Sequence, residues 1–224
     1  MKNKLRIQLV ALATALTALL VPGQAASANA QTDEVTSKMI ELGILPEDQI
    51  AILQNLENGI LPQSDIPISV PVSTMTTTSG GFQHETQKFS DGSIKKVSRE
   101  LPKSPLLRST GLNACSVSSG TGYVNYVNCT VYNDTPLVTM GFISNFTIVQ
   151  GGYNDYITNA VNPVANCRLG ACSNIQAWVG KSKETTSGKA WAKMTADYTL
   201  YGGIGSSSYS LQLTVGGNTY QLVG

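Results

Sequence analysis

The chain has 224 residues, with 15 basic against 14 acidic side chains, and only 13% of it is charged. The usual share of charged residues is about a quarter. A near-neutral chain offers no basic face for a phosphate backbone, so nucleic acid is not expected as a partner. Low charge with 42% hydrophobic residues is not the composition of a disordered chain.

The N-terminus reads as a secretory signal over residues 1–30. Lys2, Lys4 and Arg6 precede an apolar stretch from Leu9 to Val21, shorter than the roughly 20 residues a membrane span needs. Ala28-Asn29-Ala30 supplies small residues for cleavage before Gln31. The pattern is bacterial in type. It predicts a protein that is secreted and works extracellularly. Cleavage removes three of the 15 basic residues and none of the 14 acidic ones, which leaves 12 against 14, a net charge of −2.

Residues 31–60 predict a short helical segment of two helices. Asp33 is placed to cap the first, whose apolar side is Val35, Met39 and Leu42, with Gly43 at the stop. Pro46 opens the second, with Glu47 and Asp48 in its first turn and Ile50, Leu53 and Leu56 as its stripe. Each is too short to be stable alone.

Residues 61–110 read as a Pro/Ser/Thr linker that carries one hairpin. The hairpin runs from Phe82 to Phe89 and from Ile94 to Leu101 around Asp91-Gly92, a dipeptide suited to a type I′ turn. Both flanks are polar and lysine-bearing, which predicts an exposed or edge hairpin.

Residues 111–224 read as one disulfide-bearing all-β domain. Strands are predicted at 123–132, 137–149 and 175–179, then from Ala190, through Tyr209 to Val215, and through Tyr220 and Leu222. Val138, Met140, Phe142, Phe146 and Ile148 share one face; so do Ala192, Met194, Ala196, Tyr198 and Leu200, and Leu211, Leu213 and Val215. Several such strands with Gly-rich turns predict two packed antiparallel sheets, a mainly β, sandwich-like fold. Four cysteines allow three pairings. The local ones, Cys115–Cys129 and Cys167–Cys172, are expected in an exported chain, and the spacings do not suit zinc.

Catalytic equipment is sparse. His84 is the one histidine, and it sits in the polar hairpin. Asp134, Asp155, Glu184 and Asp197 are the carboxylates of the β domain, two of them in Asn-Asp turns. Neither set forms a triad or a clear carboxylate pair, and an enzyme is not expected. No catalytic residue, cofactor or metal site is assigned; Asn154, Asp155 and Asn159 make only a thin oxygen cluster for calcium.

Aromatics are the remaining candidates. Trp178 and Trp191 alternate out of phase with the core residues of their strands, and Tyr201 follows near a Gly-rich turn. Flat rings on a sheet face suit the apolar faces of sugars and protein partners. The expectation is a non-enzymatic binding or surface-interaction module for a cell-envelope polysaccharide, a glycan or a protein, with Trp178, Trp191 and Tyr201 as ligand residues. Two alternatives stand beside it: a membrane-active or assembling protein, and a precursor that loses residues 31–110. The oligomeric state is not legible in the sequence.

Overall fold

The computed structural model describes residues 23–101 and 115–224. Residues 1–22 of the expected signal segment and the expected second linker, 102–110, lie outside them. Helix α1 (Gly23–Leu42) and helix α2 (Pro46–Glu57) lead into a single 3-10 turn at Gln63–Asp65. Eleven strands follow among the described residues: β1 (Ser73–Ser79), β2 (Phe82–Lys88), β3 (Ile94–Glu100), β4 (Ser116–Gly120), β5 (Tyr123–Asp134), β6 (Val138–Val149), β7 (Tyr156–Cys167), β8 (Gly170–Lys181), β9 (Ala190–Leu200), β10 (Ser206–Val215) and β11 (Tyr220–Val223).

The strands make two antiparallel sheets. The larger has the order β1-β2-β3-β5-β6-β7, with β4 paired to one half of β5. The smaller has the order β11-β10-β9-β8. The chain is mainly β, as expected, and the two sheets enclose one core. Strand β6 contributes Val138, Met140, Phe142, Phe146 and Ile148; β9 contributes Ala192, Met194, Ala196 and Tyr198; β10 contributes Tyr209, Leu211, Leu213 and Val215. Alanines on β9 leave room for the larger rings and thioethers of the facing sheet. Each fully buried large side chain here is worth about 2–3 kcal/mol of transfer free energy.

Both local disulfides are present. Cys115–Cys129 sits where β5 changes partner from β4 to β3, beside Asn128 at a φ of 56°. Cys167–Cys172 closes the turn that carries the chain from β7 in one sheet to β8 in the other. Two disulfides belong to an oxidising, extracellular-type environment. No helix among the described residues is long and apolar enough to cross a membrane.

Several expectations need correction. Helix α1 begins well before Asp33, so that residue lies inside the helix and caps nothing. In α2 the buried residues are Ile52 and Leu56, with Leu53 half-buried, while Ile50 is 60% exposed. As expected, neither helix stands alone: Val35, Met39, Leu42, Ile44, Ile52 and Leu56 join the β core. The stretch read as a linker contains β1, paired along its length with β2. The hairpin β2–β3 is not at an edge, since β3 pairs with β5. Its turn is not type I′ either. Gly92 has a φ of 79° and donates its N–H to Phe89 O, and Phe89 N–H donates to Ser93 O. That is a three-residue loop with Gly92 in the left-handed region.

Asp91 earns its place by contacts rather than by turn type. One of its carboxylate oxygens accepts from Ser93 N–H and Ser93 Oγ–H, and the other from Gln63 N–H. This ties the 3-10 turn to the hairpin. Asp65 then ties it to both sheets. Its buried carboxylate accepts the hydroxyls of Thr135, between β5 and β6, and of Tyr209, on β10, at 2.7 Å for the latter. Ser64 Oγ and Ser207 Oγ complete the set, on the carboxylate and the carbonyl of Asp65.

Candidate functional site

The outward face of the small sheet is set by the period of two. On β9 the even-numbered residues 190 to 200 point into the core, so Trp191, Lys193, Thr195, Asp197 and Thr199 point out. Strand β10 adds Ser208, Ser210, Gln212 and Thr214 to that face. From β8, Trp178 pairs with Lys193, and Lys181 pairs with Trp191. The register shifts between Val179 and Lys181, which makes Gly180 the extra residue of a bulge. Trp178 and Trp191 are therefore diagonal neighbours, about 7–8 Å apart at the backbone.

Gly180 sets the pose of Trp191. A Cβ built on it would lie 1.8 Å from the ring carbon Cη2 of Trp191, so the indole lies flat on the glycine backbone. Trp191 is half-buried by this contact, whereas Trp178 is 39% exposed. Gly180→Ala is expected to lift Trp191 off the sheet. The check is tryptophan emission, which should shift to the red and quench more readily with iodide, against unchanged far-ultraviolet circular dichroism.

The polar part of the face is ordered by Asp197. Its carboxylate accepts from Asn174 Nδ2 at 2.7 Å on β8 and from Ser208 Oγ at 2.8 Å on β10. These two bonds, Asn174 first, hold the carboxyl below the usual carboxylate range. Asp197 thus fixes hydroxyl and amide groups across three strands. A flat face with two indoles and a row of hydroxyls can stack on an apolar ring face and hydrogen-bond its rim.

Tyr201 does not belong to this face. It is in the turn after β9, at the other end of the strand from Trp191, roughly 30 Å away at 3.3 Å per residue. There it lines a cavity of about 280 Å³ with Leu53, Leu56 and Ile204, under α2.

The titratable candidates do structural work. Asp155 accepts Val149 N–H on one oxygen and Asn218 N–H on the other. Glu184 accepts Gly217 N–H, and its own N–H donates to Asp155 O. Together they tie the loops at one end of the sandwich. His84, read from sequence as a surface residue, is 6% exposed, with Nδ1 2.7 Å from the fully buried Ser98 Oγ. Burial, then Lys96, holds the imidazole below its ordinary value. A Ser98 hydroxyl with no exposed surface cannot meet a substrate. Among the described residues, no group of three His, Cys, Asp or Glu could hold a metal ion.

A groove of about 430 Å³, absent from the expectations above, lies on the outer face of the large sheet. Its floor is Gly141, between Tyr132 and Val164, with Thr130, Ile143 and Asn166 around it. The signal was there: Gly141 interrupts an otherwise bulky strand, and a Cβ would meet Val131 O at 2.8 Å.

No protein-family model matches the chain, and no curated protein or solved structure matches it.

Proposed function

We propose that the chain is an exported, non-enzymatic binding module whose indole-bearing face takes a cell-envelope polysaccharide. The observation that carries this reading is the pair Trp178 and Trp191, set side by side on the solvent face of a sheet otherwise lined with hydroxyls and amides. The two disulfides and the basic-apolar-small order of residues 1–30 support export. A membrane-active role fits less well. Leu211, Leu213 and Val215 of β10 point into the core and would have to leave it before meeting lipid.

Co-sedimentation of the oxidised protein with cell-wall preparations, insoluble polysaccharides and liposomes tests the reading. The protein is expected to pellet with a wall or polysaccharide fraction and to stay in solution with liposomes. A stacked ring is worth about 0.5–1.5 kcal/mol. Trp178→Ala is therefore expected to weaken the binding about three- to ten-fold. Retention on liposomes alone would replace the proposal with the membrane-active alternative.

A further inference from the structure

Sheet edges are where a β protein controls what else may join it. Among the described residues five strands have a free edge, and four of them carry a visible safeguard. β7 contains Pro163 after Asn162, whose φ is 53°, and its register shifts twice. β8 has two bulges and Asn174 at a φ of 50°. β11 is four residues long, and two cations from β3 hold carbonyls on it and just after it: Arg99 Nη1 donates to Tyr220 O at 3.3 Å and Lys95 Nζ to Gly224 O at 2.9 Å. β4 is five residues long and begins at the residue after disulfide-bonded Cys115.

β1 carries none of these. Its seven residues pair with β2 in one unbroken register, and every one of them is exposed. No charged residue occurs between Asp65 and Glu85. The two-residue turn at Gly80-Gly81, with φ of 59° and 81°, makes Ser79 and Phe82 a hydrogen-bonded pair. By alternation, Thr74, Thr76 and Thr78 then direct their N–H and C=O groups to the free edge.

The strand reads Ser73-Thr74-Met75-Thr76-Thr77-Thr78-Ser79, close to a palindrome about Thr76. An antiparallel copy centred there sets Thr76 against Thr76, Thr74 against Thr78 and Ser73 against Ser79. Such pairing makes about six backbone hydrogen bonds and places threonines opposite threonines, a favourable cross-strand pair. The contact is isologous, so it closes as a two-fold dimer. Room exists for it. β11 lies over β3, as Arg99 and Lys95 show, so β1 and β2 project beyond the small sheet.

We infer that β1 is a self-recognition edge, through which two copies of this chain join their large sheets about a two-fold axis at Thr76. Both copies then present their small sheets on the same side, which makes the protein bivalent for an extended ligand. A contact of one strand pair is small, so the dimer is expected to form at about tens of micromolar.

The test is sedimentation velocity of the oxidised wild-type protein and of Thr76→Lys over a concentration series reaching about 300 µM, well above that range. Thr76 is exposed, so the lysine leaves the monomer fold intact while facing its own charge across the axis. Circular dichroism confirms the fold. Dimer in the wild type and monomer in Thr76→Lys are expected. As a second measure, Thr76→Cys is expected to form a disulfide dimer in air, since hydrogen-bonded pairs lie about 5.5 Å apart at Cα. A wild type that stays monomeric throughout overturns the inference, as does a dimer that Thr76→Lys leaves unchanged.

Discussion

Asp65→Ala is expected to lower the unfolding free energy by about 3 kcal/mol, the combined effect of leaving buried hydroxyl donors without an acceptor, each worth about 1–3 kcal/mol. Ser64 and Tyr209 lose their acceptor at once, and Thr135 keeps only Val138 O at 3.1 Å. Thr135 and Tyr209 belong to different sheets, so cutting both from Asp65 loosens the sandwich and not only the 3-10 turn. For a domain of this size about 3 kcal/mol corresponds to a fall of about 10 °C in Tm. Burial pushes the Asp65 carboxyl up from 3.8 to about 6, with the three hydroxyl bonds and Lys95 acting against it. The native state therefore binds this proton more tightly than the unfolded chain. The stability it confers is full below about pH 4 and is lost as pH rises through about 6, a change of about 3 kcal/mol for a shift of this size. Asp65→Asn keeps an acceptor and does not titrate. Urea unfolding at pH 4, 5, 6 and 7 is expected to show the wild-type slope and to lose it in Asp65→Asn. A slope retained in Asp65→Asn would assign the titration to another group.

The second large effect concerns α1. Lys38 is 8% exposed and lies 3.0 Å from Asp134 Oδ1, with Glu41 on its solvent side at 2.9 Å. Asp134→Ala leaves a buried ammonium with only the exposed partner. Breaking a buried pair usually costs about 3–5 kcal/mol, and the lower end is expected here because Glu41 remains. The double variant Lys38→Met, Asp134→Leu removes both charges and is expected to recover most of that loss. Chemical unfolding of the two singles and the double closes the cycle. This pair also bears on the precursor alternative. Excision of residues 31–110 would strip Lys38 from Asp134, Asp65 from Thr135 and Tyr209, and three strands from the large sheet. The chain is expected to act with these residues in place, and intact protein recovered with full binding checks it.

What was legible in the sequence follows from where a strand lies. β6, β9 and β10 are flanked by neighbours and bury one face, so Val138 to Ile148, Ala192 to Leu200 and Tyr209 to Val215 show the period of two. The strands that the sequence does not announce are β1, β4 and β7, all with a free edge among the described residues. An edge strand exposed on both faces has no reason to alternate: β1 buries nothing, and β7 buries only Ile157. β8, one edge of the small sheet, shows a strand pattern in sequence only in its middle for the same reason. The hairpin β2–β3 misled in the opposite direction. Its lysines suggested exposure, yet Lys95 reaches Gly224 O and is buried along its stem.

The candidate site was half legible. Alternation placed Trp178 and Trp191 on the outward face of one sheet, because their neighbours Ala177, Val179, Ala192 and Met194 define the inward one. Alternation fixes a face but not a position along it, and so it could not separate Tyr201, at the far end of β9. Nor could it show that Gly180 serves as a seat for Trp191, since the bulge exists only in the pairing of β8 with β9. The burial of His84 is not legible in sequence because it comes from Phe82, which stacks 6.1 Å from it, and from Ser98 on the next strand.

A depletion isotherm on the wall or polysaccharide fraction, with wild type, Trp178→Ala and Tyr201→Ala measured side by side, tests the indole face most directly. Binding weakened about three- to ten-fold in Trp178→Ala and unchanged in Tyr201→Ala is the expected result. Equal binding by all three, or loss only in Tyr201→Ala, would contradict the indole face as the ligand site.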